Sequence, residues 1–467
     1  MRTMTMFVVS AGLAVAFAMS SSAQQKATDK VVSDVLHGSA NVRNHVRLHA
    51  PSQGEPPPFT YSQCLEILSI PCYTPQLIRN SYGVTSLLQA GYTGVGQTII
   101  IVDSFGSPTI AQDLRTFDAG LGLPDPPSFT VLAPLGTVPF DPNDPDQVNW
   151  AAETSLDVES AHAIAPGASI VLLTSPVDET NGVQGLPEFL FLEKYALDHH
   201  LGNIISQSWA ATENTLFDPI GRQVVNDFEV FYERAARENV TVLAASGDSG
   251  STGPNTSGGY YETPVALFPA ASPWVTAVGG TSLYADAFGN YQYEPAWNNG
   301  GITLASGLEA NATGGGVSQI FSEPDYQSGL PVPVQQILNG YRGYPDVAYN
   351  ADGLTPIWIY VSFFPDAPQN GWYTAMGTSE GSPQWAGIVA IANQYAGRPL
   401  GFLNPKLYAL GARSDSPKYF HDITSGSNAF PYAGVPGYLA TPGWDLTTGW
   451  GTPKADKLVK ALAQQPD

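Results

Sequence analysis

The chain has 467 residues, with 41 acidic and 19 basic side chains and a net charge of −22. Such an imbalance excludes a nucleic-acid partner, because phosphate binding needs clustered Lys and Arg. It suits an acidic milieu, where protonation carries the surface toward neutrality instead of making it strongly positive.

Residues 1–23 read as a secretory signal: Arg2 precedes an apolar run from Met6 to Met19, and Ser21-Ser22-Ala23 is a small-x-small cleavage site. The run is short for a membrane span, and no later segment reaches about 18 uninterrupted apolar residues. The chain is therefore expected to be secreted, with no membrane span and a mature charge of 18 − 41 = −23 once Arg2 has left. Residues 24–71 are polar, with a Pro-rich stretch at Pro51-Ser52-Gln53-Gly54-Glu55-Pro56-Pro57-Pro58, and read as an extended arm. The two cysteines, Cys64 and Cys72, read as a disulfide rather than a metal site in an exported protein, pinning the entry to the main body. Residues 72–467 carry no clear internal boundary or repeat and are expected to form a single large α/β domain.

Strands are predicted at Thr98–Val102, Ser169–Leu173, Asn203–Trp209, Val240–Ala245 and Trp274–Val278. Helices are predicted at Pro187–His199 and Gly221–Glu238, the second with Val224, Val225, Phe228, Phe231 and Ala235 near helical spacing. Strands alternating with helices argue for a parallel sheet. The tract Leu283–Ala312, rich in Gly, Tyr and Asn, reads as loop and hairpin.

Three stretches carry chemistry. Met376-Gly377-Thr378-Ser379-Glu380-Gly381-Ser382-Pro383 reads as a tight turn opening a helix, which would leave the Ser379 hydroxyl exposed where a helix N-terminus favours negative charge. A serine needs a neighbour to take its proton, and none of the seven histidines stands in a Gly-Thr-His helix start. The second stretch, Trp150 to Gly167, reads as an alanine-rich helix stopped by Pro166-Gly167. Glu153 and Asp157 are four apart on it and share a face. Two adjacent carboxyls do not both ionise cheaply, so one can hold a proton and orient the other. In the third, an apolar strand ends at Ser246-Gly247-Asp248. A protonated Asp there could donate to an oxyanion. Asp103, after Ile99-Ile100-Ile101-Val102, reads as a structural strand-end residue, and His162 is kept as a rival base.

Taken in this order, the three stretches resemble the sedolisin family of serine-carboxyl peptidases, over roughly residues 72–463. The stretches Phe268–Thr281, Gly314–Ser318 and Tyr344–Ala348 are also similar to it. The resemblance implies a subtilisin-like α/β fold with a mostly parallel sheet between helices. It implies Ser379 as nucleophile, Glu153 as general base and acid, Asp157 as its support and Asp248 at the oxyanion hole. It also implies one structural Ca²⁺ held by the Asp422 and Asp445 side chains and the carbonyls of Ile423, Thr441 and Gly443. Two carboxylates plus turn carbonyls suit that ion, which takes six or more oxygens. Thr441 stands where the family usually has Gly. Family precursors usually carry a large N-terminal propeptide domain, and residues 24–71 are too few to form one.

The expected activity is acid-active endopeptidase cleavage of protein or peptide substrates by a monomer. The alternatives are a tripeptidyl exopeptidase and a non-catalytic exported binding or scaffold protein on a peptidase fold.

Overall fold

The computed structural model describes residues 49–52, 58–179, 182–300, 303–304, 307–308, 311–366, 369–430 and 434–465. The expected signal sequence and most of the arm lie outside them. Ten strands frame the site: β1 (His49–Ser52), β2 (Thr98–Ser104), β3 (Phe129–Leu132), β4 (Ser169–Ser175), β5 (Ile204–Gln207), β6 (Thr241–Ala245), β7 (Thr276–Thr281), β8 (Val347–Asn350), β9 (Ile357–Val361) and β10 (Gly371–Ala375). Six helices accompany them: α1 (Ile110–Leu121), α2 (Pro145–Ile164), α3 (Leu186–Asp198), α4 (Pro219–Arg237), α5 (Thr378–Ala396) and α6 (Ala455–Ala463).

Seven strands form one sheet in the order β8-β7-β6-β5-β2-β4-β3, every pairing parallel. This is the subtilisin-like α/β architecture expected. The central strand explains its own position. Ile99, Ile100, Ile101 and Val102 are all fully buried, and a parallel strand covered on both faces needs such a continuous apolar run. Ile99 and Ile101 join the core that holds α2 and α5, while Ile100 and Val102 join the core under α3 and α4. From β2 the chain runs out to β3 and β4 on one side and then crosses to β5 on the other. The strand order therefore reverses at β2, the place where open α/β sheets form their sites.

Helices α2 and α5 are buried nearly all round, as internal helices are. Small residues let them approach: a Cβ added to Gly387 would lie 2.7 Å from the Ile164 Cβ. Helix α4 is instead amphipathic, with Val225, Phe228, Phe231, Tyr232 and Ala235 facing inward.

Some boundaries differ from expectation. The strand at Asn203–Trp209 stops at Gln207, because Ser208 turns to bond a carboxyl on α2. The strand expected from Trp274 begins at Thr276, since the Ser272 carbonyl accepts the Val275 N–H in a turn. The arm is not extended throughout. Thr60 starts a capping box for a helix at Tyr61–Ile67, and β1 pairs antiparallel with β10. Cys64 and Cys72 are disulfide-bonded, with Cα atoms 5.8 Å apart, and pack against Phe117, Trp358 and Trp372. Among the described residues no helix is long and apolar enough to cross a membrane.

Candidate active site

The strand ends at the reversal point supply the first half of the site. Asp103, near the end of β2, is fully buried, and its Oδ2 accepts the Thr154 hydroxyl of α2 at 2.9 Å. Thr154 is flanked by Glu153, and Asp157 follows one turn later; both carboxyls are fully buried. Ser208, just beyond β5, donates its hydroxyl to Asp157 Oδ1 at 2.9 Å. Burial pushes Asp157 well above the usual carboxylate range, and the nearby charges of Asp103 and Glu153 push the same way against the Ser208 hydrogen bond. Burial also raises Asp103 to about 7, opposed by Thr154. Three carboxyls thus share one low-dielectric region, where an added negative charge is costly and protons are retained.

Asp103 does stand at the end of its strand, and its charge is among the causes that raise Asp157. The available signal was its position, at the carboxyl end of the strand where the order reverses. Ser208 carried no comparable signal.

The second half is built by the turn after β6 and the start of α5. Gly247 has φ +106°, and a Cβ there would meet Leu267 Cδ1 at 2.3 Å, so the turn needs glycine. Asp248 is 6 % exposed. Its Oδ1 accepts both the backbone N–H and the hydroxyl of Thr378, each at 2.8 Å. The Gly247 N–H donates to the same hydroxyl oxygen at 3.0 Å. Gly377 caps α5 at φ +117° and donates to the Ala351 carbonyl at 2.8 Å. One turn on, the Ser382 and Ser206 hydroxyls meet at 2.9 Å and tie α5 to β5.

Ser379 therefore does stand at a helix start, but it is fully buried rather than exposed. The turn carrying it is sunk between the Gly247-Asp248 loop and Ala351, both of which it bonds. Its Oγ has no hydrogen-bond partner among the described residues. Pro383 removes the N–H that would otherwise bond the Ser379 carbonyl. The Gly314-Gly315-Gly316 stretch lies against this loop. Gly314 N–H donates to the Gly247 carbonyl at 2.6 Å, and a Cβ on Gly314 would sit 2.0 Å from the Ser246 oxygen.

Three of the described histidines are engaged elsewhere. His162 Nε2 lies 2.8 Å from the Pro124 carbonyl and 3.1 Å from Asp118 Oδ1. His199 Nδ1 lies 2.9 Å from the Tyr195 carbonyl. His421 stacks on Tyr291, and burial, helped by Lys454, holds its imidazole down to about 3.

Asp422 and Asp445 meet at one turn. The Gly443 N–H donates to both oxygens of Asp422, at 3.2 and 3.0 Å. Asp445 Oδ2 accepts the Thr441 N–H, and its Oδ1 accepts those of Thr447 and Thr448, all at 2.8 Å. Burial raises Asp445 to about 7 against these bonds and also raises Asp422. Thr441 is not among the residues with positive φ, whereas Gly443 has φ +81°. The backbone at Thr441 therefore tolerates a side chain where the family usually has Gly. Ile423 is buried beside Asp422. Among the described residues no group of three or more His, Cys, Asp or Glu side chains could hold a metal ion.

A parallel sheet between helices, with buried acids at its carboxyl edge and a serine at the start of a buried helix packed on it, defines a subtilisin-like α/β protein. The chain is 35 % identical over 391 residues to kumamolisin from Bacillus sp. (strain MN-32), an alignment covering 83 % of this chain and 62 % of that protein. It is 31 % identical to sedolisin from Pseudomonas sp. (strain 101), covering 77 % and 56 % respectively. It is 29 % identical to human tripeptidyl-peptidase 1, covering 72 % and 55 %. The solved structure of Pseudomonas sedolisin, a serine-carboxyl proteinase complexed with two molecules of pseudo-iodotyrostatin, superposes with a TM-score of 0.66 at 29 % identity, over 84 % of this chain and 98 % of that one. No protein-family model matches the chain. The chain belongs to the sedolisin family. It spans from 55 % to 62 % of the length of these curated relatives.

Proposed function

We propose that this chain is an exported, acid-active serine-carboxyl endopeptidase. The observation that carries the reading is the double hydrogen bond from Thr378 to Asp248. It couples an oxyanion-hole candidate to the residue before the nucleophile candidate, on a helix packed against the one bearing Glu153 and Asp157. In this reading Ser379 Oγ attacks the scissile carbonyl and Glu153 takes its proton. A protonated Asp248 donates to the oxyanion as the tetrahedral species forms. Glu153 then returns the proton to the amine as the C–N bond breaks, leaving an acyl-enzyme. Water, deprotonated by Glu153, attacks the ester and releases Ser379. Asp157, raised by burial and its neighbours, holds a proton it can offer to Glu153.

Asp422, Asp445 and the carbonyls of Ile423, Thr441 and Gly443 would hold one Ca²⁺. The donor set fits a hard cation: two carboxylates sharing one turn, with carbonyl oxygens beside them. The ion would supply a cross-link between the two loops and no step of the reaction.

The test is a pH–rate profile of kcat/KM on a peptide substrate of constant charge. The reading expects activity concentrated in acid, since unperturbed carboxyls titrate near pH 4. A plateau at neutral pH that collapses in acid is the behaviour of a histidine base and would overturn it. Loss of casein cleavage at pH about 4 in Ser379→Ala separates an enzyme from a non-catalytic scaffold on the same fold. A second reading, tripeptidyl exopeptidase, is favoured by the name of the human relative. Sequencing the N-termini of products from a long peptide distinguishes it.

A further inference from the structure

A cavity of about 660 Å³ opens beside α6, lined in part by His421 but by none of the serine and carboxyl residues above, and its lining has an unusual charge. Four of the chain's eight lysines line it: Lys418, Lys454, Lys457 and Lys460. Asp456 is its one lining carboxylate, so the formal balance is 4 − 1 = +3 in a chain of net charge −22. A concave surface lined by one sign of charge concentrates the opposite ion.

Two of these cations stand where the helix disfavours them. Lys454 is the N-cap of α6 and Lys457 lies in its first turn, where the helix dipole is positive. Lys457 and Lys460 are three apart, a spacing at which like charges repel. Partial relief comes from nearby oxygens. Lys457 Nζ pairs with Asp456 at 2.8 Å, Lys418 Nζ with Asp415 at 3.2 Å, and Lys454 donates to the Pro417 carbonyl at 2.7 Å. Among the described residues no ion pair is made by Lys454 or Lys460. Burial lowers the Lys454 ammonium against the opposing charge of Asp456. An arrangement that costs stability empty and gains it when an anion enters has the energetics of a binding site.

We infer that this cavity binds a small oligoanion carrying two or more phosphate or carboxylate groups, bridging Lys454 and Lys460. The volume suits a small molecule of this class, and flexible ammonium groups suit anions of varied shape. The inference is independent of the peptidase reading.

The experiment is isothermal titration of the full chain, at fixed calcium and low salt, with two probes that chelate metal weakly. Fructose 1,6-bisphosphate presents two phosphates and benzene-1,3,5-tricarboxylate three carboxylates. At least one should bind with one-to-one stoichiometry, and which one binds tells phosphate from carboxylate. Lys454→Gln/Lys460→Gln should weaken it roughly tenfold or more, the loss expected for charged hydrogen bonds, while Lys194→Gln should leave it unchanged. Should the double variant fail to fold, the exposed Lys460→Gln alone serves. Absence of binding by both probes, or undiminished affinity in a folded variant, overturns the inference.

Discussion

Asp248 and Thr378 are joined twice, the carboxylate Oδ1 accepting both the N–H and the hydroxyl of the threonine at 2.8 Å. The hydroxyl oxygen in turn accepts the Gly247 N–H at 3.0 Å. One side chain therefore sets the distance between the loop after β6 and the helix start that carries Ser379.

Thr378→Val keeps the shape and removes the hydroxyl. It leaves a buried N–H and part of a carboxylate unsatisfied, which costs about 1–3 kcal/mol. Denaturant unfolding should register that loss, and kcat should fall with KM little changed. Thr378→Ser should restore both. A Val variant with unaltered kcat would show that the clamp does not matter to turnover.

Glu153→Gln and Ser379→Ala should each leave the fold intact and abolish most turnover. A positioned general base is typically worth about 10²–10⁴ in rate, and the serine at least as much. Thermal melting and steady-state kinetics on the purified variants check this together. Near-normal turnover in folded Glu153→Gln would remove Glu153 from the mechanism.

Asp103→Asn tests the electrostatic relation at the end of β2. The Asp103 charge is among the causes that hold Asp157 above its ordinary range. A neutral isostere removes that push, so Asp157 should ionise at lower pH and the alkaline limb of the pH–rate profile should move toward acid. Asp103 and Glu153 both act on Asp157, so the shift belongs to the set. A limb that stays in place while only Tm falls would return Asp103 to a structural part.

The central sheet was legible because its strands are apolar runs, as at Ile99-Ile100-Ile101-Val102. Helix α4 announced itself through its period. Strand β3 did not, because Thr130 and Val131 are exposed at the sheet edge and leave no apolar pattern. The β9–β10 hairpin and the four-residue β8 also lacked a local signature. In the site, spacing along one helix is readable, so Glu153 and Asp157 could be paired. Contacts between elements are not: Asp103 lies 51 positions from the Thr154 that bonds it, and nothing local marks Ser208. The burial of Ser379 depends on loops from three other parts of the chain. A glycine-led turn before a helix says where a hydroxyl sits but not what closes over it.

Removing Ca²⁺ should lower Tm if Asp422 and Asp445 hold it, because an ion bound to the folded state alone stabilises it. At a hundredfold excess over Kd the gain is about 2.7 kcal/mol. Scanning calorimetry with and without EDTA, beside metal analysis, is the measurement. Asp445→Asn should melt early and lose its response to calcium. An EDTA-insensitive Tm with no bound metal would dispose of the site.

Folding stability should be highest in acid and decline toward neutrality. Glu179 and Glu193 are buried with both carboxyl oxygens lacking partners among the described residues, and burial holds each well above the ordinary range. Burial also raises Glu213 and Glu229 to about 7. The sign follows from proton counting. Above the unfolded carboxyl value near 4.3 the unfolded chain has lost these protons while the folded chain retains them. It therefore binds fewer protons, and stability falls as pH rises. The contribution of such a group is fully present below about pH 4 and is lost as pH climbs through the folded value. For a carboxyl moved to about 7 the loss is on the order of 3 kcal/mol. Urea midpoints at about pH 4, 5.5 and 7 should decrease in that order. Glu193→Gln, a neutral isostere, should leave the acid midpoint nearly unchanged and raise the neutral one, flattening the dependence. A midpoint that rises from pH 4 to 7, or a Gln variant that merely lowers every midpoint, would mean that the buried acids are not what ties this fold to low pH.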